Sequence, residues 1–506
     1  MDWLLQAWHG FGQGLASVLS WVGLAWIGLG AVIGSLIGVL PGLGPIGAIA
    51  LLFPVVYVID TSSALMLLAS VYYGAQYGGS TAAILMNTPG ATSAEVTAWD
   101  GHPMAAQGRA GVALMVAVLG SFAAGLFATV ALVVLAAPLA AASARFSSVE
   151  LFALCVLVLV GSVVLSSGSL LKSFGMILLG MLLAQVGTDA ATGVQRFTGG
   201  HALLAQGVPV AVLAIALFAL GQILAQLQQP PSPKVRLGLS GQRWRPTREE
   251  WRRAWPAALR GSTLGAFLGM LPGGGALLAS FASYVLEERL ASDEEAEEFG
   301  QGAIQGVAGP ESANNAGAQT SFMSLLWLGV PTNPVMALMA AAMMIKAEVP
   351  GPQWMGASPD LFWGLLVSMA VGNLLLLVLN GPLVGLWAAC LKWSYRVVAP
   401  VLVLVAAVGL YGLNLRPSDI LLATALMLAG YTLYRMGCEP GPMLLGFVMA
   451  PLMERHLRQA LQAHDGHWGV VFSHPLALGM MLVAALLFLM AALPAIRAQR
   501  DETFVE

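Results

Sequence analysis

Long apolar runs constrain this 506-residue chain more than any other feature. They extend from Trp21 to Ile37, Val112 to Ala137, Leu151 to Leu165, Val208 to Leu227 and Leu476 to Leu493. A helix that crosses the hydrocarbon of a bilayer needs about 20 mostly apolar residues. Lipid offers the backbone no hydrogen bonds, so spanning elements are helices or closed barrels, and these runs lack the two-residue alternation of barrel strands. The expected fold is an all-α polytopic membrane protein with roughly 11–13 membrane-embedded segments. Charged residues make up only 9% of the chain, against about 25% in soluble domains.

The distribution of charge says more than its sum. A formal net charge of -3 gives no reason to expect nucleic acid as a partner, and residues 1–108 contain no Lys or Arg. Basic residues gather instead from Lys234 through Arg236, Arg243, Arg245, Arg248 and Arg252 to Arg253, in a polar loop that opens with Gln228-Gln229-Pro230-Pro231. By the positive-inside rule this loop is expected in the cytoplasm. Arg497 and Arg500 place the C-terminal tail on the same side. The N-terminus has no charged n-region or small-residue cleavage site. Trp3, Leu4, Trp8, Phe11, Leu15 and Leu19 fall near helical spacing, as in an interfacial helix. The expected organisation is an interfacial helix over 1–20, a first transmembrane repeat over 21–227, the basic loop over 228–256, a second repeat with the C-terminal spans over 257–495, and a tail over 496–506. Cys155, Cys390 and Cys438 lack metal-ligand spacing and read as packing residues. The seven histidines form no metal-binding pair, and His464, His467 and His474 read as loop residues.

Each half opens with the same phrase: Gly38-Val39-Leu40-Pro41-Gly42-Leu43-Gly44 and Gly269-Met270-Leu271-Pro272-Gly273-Gly274-Gly275, with prolines 231 positions apart. Each then carries a second polar, Pro-interrupted stretch. The first runs from Ser80 to Pro89-Gly90, and the second from Thr320 to Gly329-Val330-Pro331-Thr332-Asn333-Pro334, with Pro89 and Pro331 242 positions apart. The two offsets differ by 11, which predicts an insertion within the charged stretch from Glu287 to Glu298. Matching Gly/Pro interruptions in two halves point to broken or re-entrant helices around a transporter binding site, and inverted topology is the expectation for such repeats.

A half-helix beginning after Pro41-Gly42 or Pro272-Gly273 directs unpaired N–H groups and a partial positive charge outward, and glycines let a carboxylate approach the backbone. Close helix packing is the alternative use of the same glycines. Candidate substrate-binding residues are therefore Pro41, Gly42 and Gly44 with Ser80, Thr81, Asn87 and Thr88 in the first half. In the second half they are Gly273, Gly274, Gly275, Thr332 and Asn333. Neutral hydroxyls and amides are hard ligands for a small cation, and an ionisable group at membrane depth is a functional candidate. Glu311, Asn314, Asn315, Thr320 and Ser321 are thus the candidate coupling-ion residues, Na⁺ or H⁺ being the ion. Interhelical hydrogen bonding is the other reading of the Ser and Thr residues, and for Glu311 a helix N-terminus just after Pro310. Glu95 and Asp100 are expected in a turn at Asp100-Gly101-His102-Pro103.

Three stretches together resemble the TctA family, the large membrane subunit of tripartite tricarboxylate transporters. They are Gly38 to Gly44, Tyr72 through Pro89-Gly90 to Asp100-Gly101-His102-Pro103-Met104, and Gly306-Val307-Ala308-Gly309-Pro310-Glu311-Ser312-Ala313-Asn314-Asn315. The resemblance extends over essentially the whole chain, more weakly after about residue 400. It implies secondary transport of organic carboxylates across the bacterial inner membrane, driven by an ion gradient and without ATP. It also implies two partners, a periplasmic solute-binding protein and a small transmembrane subunit. The chain has no Gly-Lys dipeptide and hence no Walker A loop. Gly329 to Pro334 departs from the family's usual small-residue turn, and Thr88 stands where an apolar residue is frequent, so the resemblance carries no particular carboxylate with it. A membrane-embedded enzyme is the rival from another class. It finds no HExxH motif here, and the GxSG match, Gly238 to Gly241, sits in the basic loop. Within transporters, the runner-up is a carrier that works without a binding protein.

Overall fold

The computed structural model describes residues 2–40, 42–166, 169–189, 191–201, 204–228, 239, 241–271, 273, 275–391, 393 and 395–493. Pro41, Pro272, Gly274, most of the loop from 229 to 240 and the tail with Arg497 and Arg500 lie outside the described residues. The described chain is helical throughout, apart from a two-stranded hairpin of β1 (Gly187–Thr188) and β2 (Gln195–Arg196).

In the first half, α1 (Asp2–Val18), α2 (Trp21–Val39), α3 (Gly44–Val58), α4 (Thr61–Met86), α5 (Glu95–Met104), α6 (Ala110–Ser143), α7 (Ser148–Val164) and α8 (Leu170–Ala184) precede the hairpin, and α9 (Val210–Gln228) follows it. The second half contains α10 (Arg248–Gly269), α11 (Gly275–Leu290), α12 (Gln305–Met323), α13 (Pro334–Ile345), α14 (Pro359–Asn380), α15 (Tyr395–Asn414), α16 (Pro417–Arg435), α17 (Pro440–Ala463) and α18 (Pro475–Ala492). Among the described residues, six helices are long and apolar enough to cross a bilayer, and four shorter apolar ones accompany them. Helix starts follow ordinary capping chemistry. Asp60 accepts from Ser63 N at α4, Thr247 and Glu250 form a capping box at α10, and Asn333 accepts from Met336 N at α13. Because α10 begins at Arg248, the last residues of the basic stretch are helical.

The repeat seen in the sequence is also a repeat in packing. A Cβ on Gly30, Gly34 or Gly38 of α2 would meet the carbonyls of Leu67, Val71 or Ala75 of α4 at 2.3–2.5 Å. On Gly261, Gly265 or Gly269 of α10 it would meet those of Gly309, Ala313 or Gly317 of α12 at 2.2–2.4 Å. The glycine triplets are 231 apart and their partners 242 apart, the offsets of the two motifs. Each pair runs parallel at backbone contact, the use that small residues serve in membranes. The 11-residue difference has a place too. Only Ile59 and Asp60 separate α3 from α4, whereas residues 291–304 separate α11 from α12.

Between halves the direction reverses. Tyr72 and Tyr73 of α4 lie against Phe322 of α12, while Ser80, two turns further along α4, meets Glu311, three turns back along α12. The equivalent helices α4 and α12 are therefore antiparallel and the repeats inverted. Both are enclosed: all nineteen residues of α12, and α4 from Ser63 to Leu85, are buried. The α10–α11 pair is re-entrant in shape. An Arg260–Glu287 ion pair fastens its stem, and α10 ends nine residues further on at Gly269, a reach of about 14 Å, half of a ~30 Å hydrocarbon core.

Two expectations are corrected. The turn at Asp100 to Pro103 is instead part of α5; the Asp100 carboxylate is committed to the backbone of residues 302–303 and leaves its own backbone free to be helical. Glu311 does not open a helix after Pro310 either. The helix runs from Gln305 through Pro310, which costs it one hydrogen bond without ending it.

Candidate functional site

The first break is a left-handed kink. Gly42 (φ +91°) and Gly44 (φ +58°) are the conformations that only glycine adopts freely. The Gln222 amide of α9, with its nitrogen turned toward the break, donates to Gly42 O at 2.8 Å and Leu43 O at 3.0 Å. The end of α4 closes against it: Asn87 caps α4 in the left-handed region, and a Cβ on Gly44 would stand 3.5 Å from Gly90 O. Asn87 is exposed and Thr88 half-buried.

The second break follows the same plan with more polar side chains. Gly273 (φ +75°) donates its N–H to Thr332 O at 3.1 Å. A Cβ on Gly275 would lie 3.2 Å from Asn333 Nδ2 and 3.7 Å from Ser321 Oγ. Gly329, 242 positions after Asn87, occupies the same left-handed C-cap. The N-termini of α11 and α13 thus meet beside Ser321, Thr332 and Asn333, and the buried Thr332 Oγ1 has no partner within the chain. A side chain at Gly273 would strike the backbone of Gly161 in α7, so packing forbids it there.

The third cluster surrounds Glu311, which has 0% exposure. Ser80 Oγ of α4 donates to Oε2 at 2.6 Å, Thr97 of α5 donates to Oε1, and Ser121 Oγ of α6 approaches at 3.5 Å. Asn315 Nδ2 donates to Ser121 Oγ at 2.7 Å and to Glu311 O. Ser80, expected with the substrate residues, therefore sits with Glu311, and Ser321, expected with the ion residues, sits at the second break. Thr320 bonds back to Ala316 O and packs on Gly269, and Thr81 leans toward Tyr77 O. Asn314 is fully buried, with neither amide atom bonded within the chain.

Sequence reading missed Thr97 and Ser121, and also a matched pair of cross-links. Tyr77 OH donates to Asn373 Oδ1 at 2.6 Å, and Thr129 Oγ1 donates to Gln319 Oε1 at 2.9 Å. Tyr77 and Gln319 are 242 apart, and each bonds a spanning helix of the opposite half. A signal was available, because Thr129 and Asn373 are lone polar residues in apolar runs.

Residues 24–445 match the Tripartite tricarboxylate transporter TctA family. The chain belongs to this family. It is 46% identical over 493 residues to an Agrobacterium vitis protein described as "Uncharacterized 52.8 kDa protein in TAR-I ttuC' 3'region", covering 97% of this chain and 98% of the relative. A second Agrobacterium vitis protein, described as "Uncharacterized protein in TAR-II ttuC' 3'region", is 49% identical over 242 residues, 48% of this chain and 99% of its own length. No solved structure matches. This TctA-family chain is thus a multi-pass membrane subunit of a tricarboxylate transporter, and a transporter family points away from an enzyme.

Proposed function

We propose that this chain is the large subunit of an ion-coupled importer of di- or tricarboxylates in a bacterial inner membrane. A periplasmic binding protein delivers the substrate, a small transmembrane subunit accompanies the chain, and transport proceeds by alternating access. The observation that carries the reading is Glu311, an enclosed carboxylate whose oxygens face hydroxyls from three helices. Isolated ionised carboxylates are too costly to bury, and the charge is neutralised by a bound cation, Na⁺ or H⁺. Ser80, Thr97, Ser121 and Asn315 supply the remaining oxygens. The carboxylate substrate is held at the breaks, where the α11 and α13 N-termini carry partial positive charge and Thr332 and Asn333 add donors beside Ser321, whose hydroxyl bonds back to Gly317 O. Buried, unpaired groups such as Thr332 Oγ1 and those of Asn314 each cost about 1–3 kcal/mol unless something satisfies them, which favours a ligand-binding role.

The test is uptake of a panel of di- and tricarboxylates, with Na⁺ present or replaced, at varied pH, and with or without the cognate binding protein. Glu311→Gln should raise the cation concentration for half-maximal uptake and leave the carboxylate KM nearly unchanged; Ser321→Ala with Thr332→Val should do the reverse. Uptake that ignores both Na⁺ and pH sinks the coupling. Uptake undiminished without the binding protein replaces this reading by the stand-alone carrier.

A further inference from the structure

The short helix α5 grips the second repeat along its whole length. It starts five residues after Gly90, at the end of the first break. Thr97 donates to Glu311. Trp99 packs edge-on against Phe281 and Tyr284 of α11, with ring centroids 5.5 and 5.0 Å away. Asp100 Oδ1 accepts from Gly302 N and Ala303 N, both at 2.9 Å, at the entrance to α12. A Cβ at Gly306 would fall 2.0 Å from the other Asp100 oxygen, so only glycine there leaves room for the carboxylate.

Past Pro103 the chain kinks at Gly108 (φ +82°) before α6 begins, and the grip continues. Gln107 Nε2 donates to Gln301 O at 2.7 Å. Arg109 donates to Gly302 O at 3.2 Å and pairs with Glu250 of α10 at 2.9 Å. Arg243 pairs with the same Glu250, and its N–H bonds Gly108 O. These contacts join the two repeats at the face of the protein that carries the basic stretch, beside a charged cavity of about 440 Å³ lined by Arg109, Glu249, Glu250, Arg253 and Glu298.

We propose that α5 ties cation binding at Glu311 to closure of the basic face, with Thr97 as a cation ligand and Asp100 and Arg109 as positioning residues; this rests on the transport reading above. A cation at Glu311 changes the bond that Thr97 makes, from a hydroxyl donated to the carboxylate to a lone pair offered to the ion. A ten-residue helix is about 15 Å long and moves as a rod, so a shift at Thr97 is felt at Asp100; Arg109, beyond the left-handed Gly108, follows through Gly302, whose N–H bonds Asp100 and whose carbonyl accepts from Arg109. The first break, the ion and the closure thereby move together.

The test uses the full chain with its partner subunits in cells, comparing gradient-driven accumulation of carboxylate with exchange at equal cation on both sides. Arg109→Glu should lower accumulation about tenfold, a typical coupling energy, while exchange stays near wild type. Arg109→Lys, which keeps the charge that faces Glu250, should hold accumulation near wild type. Thr97→Val should raise the half-maximal cation concentration with little change in carboxylate KM, and Thr97→Ser should reverse it. Full accumulation in Arg109→Glu overturns the proposal, as does an equal loss of accumulation and exchange at wild-type membrane abundance. Should Arg109→Glu reduce abundance, Arg109→Gln, which removes the pair without reversing its charge, decides by the same two readouts. A wild-type chain that accumulates no carboxylate defeats the transport reading instead, so the two failures are distinct.

Discussion

Gly90 is set by backbone contact alone. A Cβ there would fall 1.6 Å from Gly38 O, so the end of α4 can lie on the end of α2 only through bare backbone. Overpacking of this kind costs about 1–3 kcal/mol even where side chains can shift, and a carbonyl in a helix has little freedom to move. Gly90→Ala should therefore lower the thermal unfolding midpoint of the detergent-solubilised chain, and an unchanged midpoint would show that the two helix ends are not in contact. Gly108, by contrast, has open space around its Cβ position but a φ of +82°; its constraint is conformational. At this scale several members of the candidate site were legible. Glu311, Asn315 and the break glycines stand out because a charge, an amide or a Pro-Gly pair in an apolar run needs a reason. What stayed hidden was partnership: Ser80 and Glu311 are 231 residues apart in the chain, and no local pattern reports which face of α4 meets α12. Thr97 escaped notice because Asp100-Gly101-His102-Pro103 has the composition of a turn, while the carboxylate that would have made it a turn is engaged elsewhere.

Elements show a similar division. Apolar period and capping residues locate most helices, and the capping box at α10 can be read directly from Thr247 and Glu250. The π-helical turns could not be read. Those at Ile215–Leu220 and Ser324–Leu328 adjoin Gln222 and precede the second break, places where an extra backbone residue redirects a helix beside the candidate site. Glu250 also joins the capping box to the closure of the basic face. Partial burial disfavours its charge, but the Thr247 N–H, Arg243 and Arg109 outweigh that and hold the carboxyl below its usual range. A depressed carboxylate contributes stability that is present above its unfolded pKa, about 4.3, and is lost as pH falls through the folded value. Wild type should thus unfold at a higher temperature than Glu250→Gln at pH 7, with the gap narrowing as pH drops below about 4. A gap that persists at pH 3 would assign the difference to packing.

For the whole molecule, inverted repeats and side-of-membrane assignment make one connected claim. Arg109, Arg243, Glu250, Arg253 and Glu298 all meet at one face, which by its excess of arginine is the proposed cytoplasmic side. From that face α9, nineteen residues long and apolar, is sufficient for one crossing and leads back to the hairpin of β1 and β2. The hairpin must then stand on the opposite side. Its own fastening agrees with an aqueous setting: Arg196 and Arg458 pair with Asp189 and Glu454, a four-charge network that hydrocarbon would not accommodate. In a chain whose Cys155, Cys390 and Cys438 are replaced, a single cysteine at the exposed Thr192 should react with a membrane-impermeant maleimide in intact cells after outer-membrane permeabilisation. One at the exposed Glu297 should react only once the inner membrane is opened. Reaction of both under the same condition would mean that α9 does not cross. The reverse pattern would leave the inverted repeats standing, since those rest on the Tyr72–Phe322 and Ser80–Glu311 contacts, but would put the α5 closure on the periplasmic side.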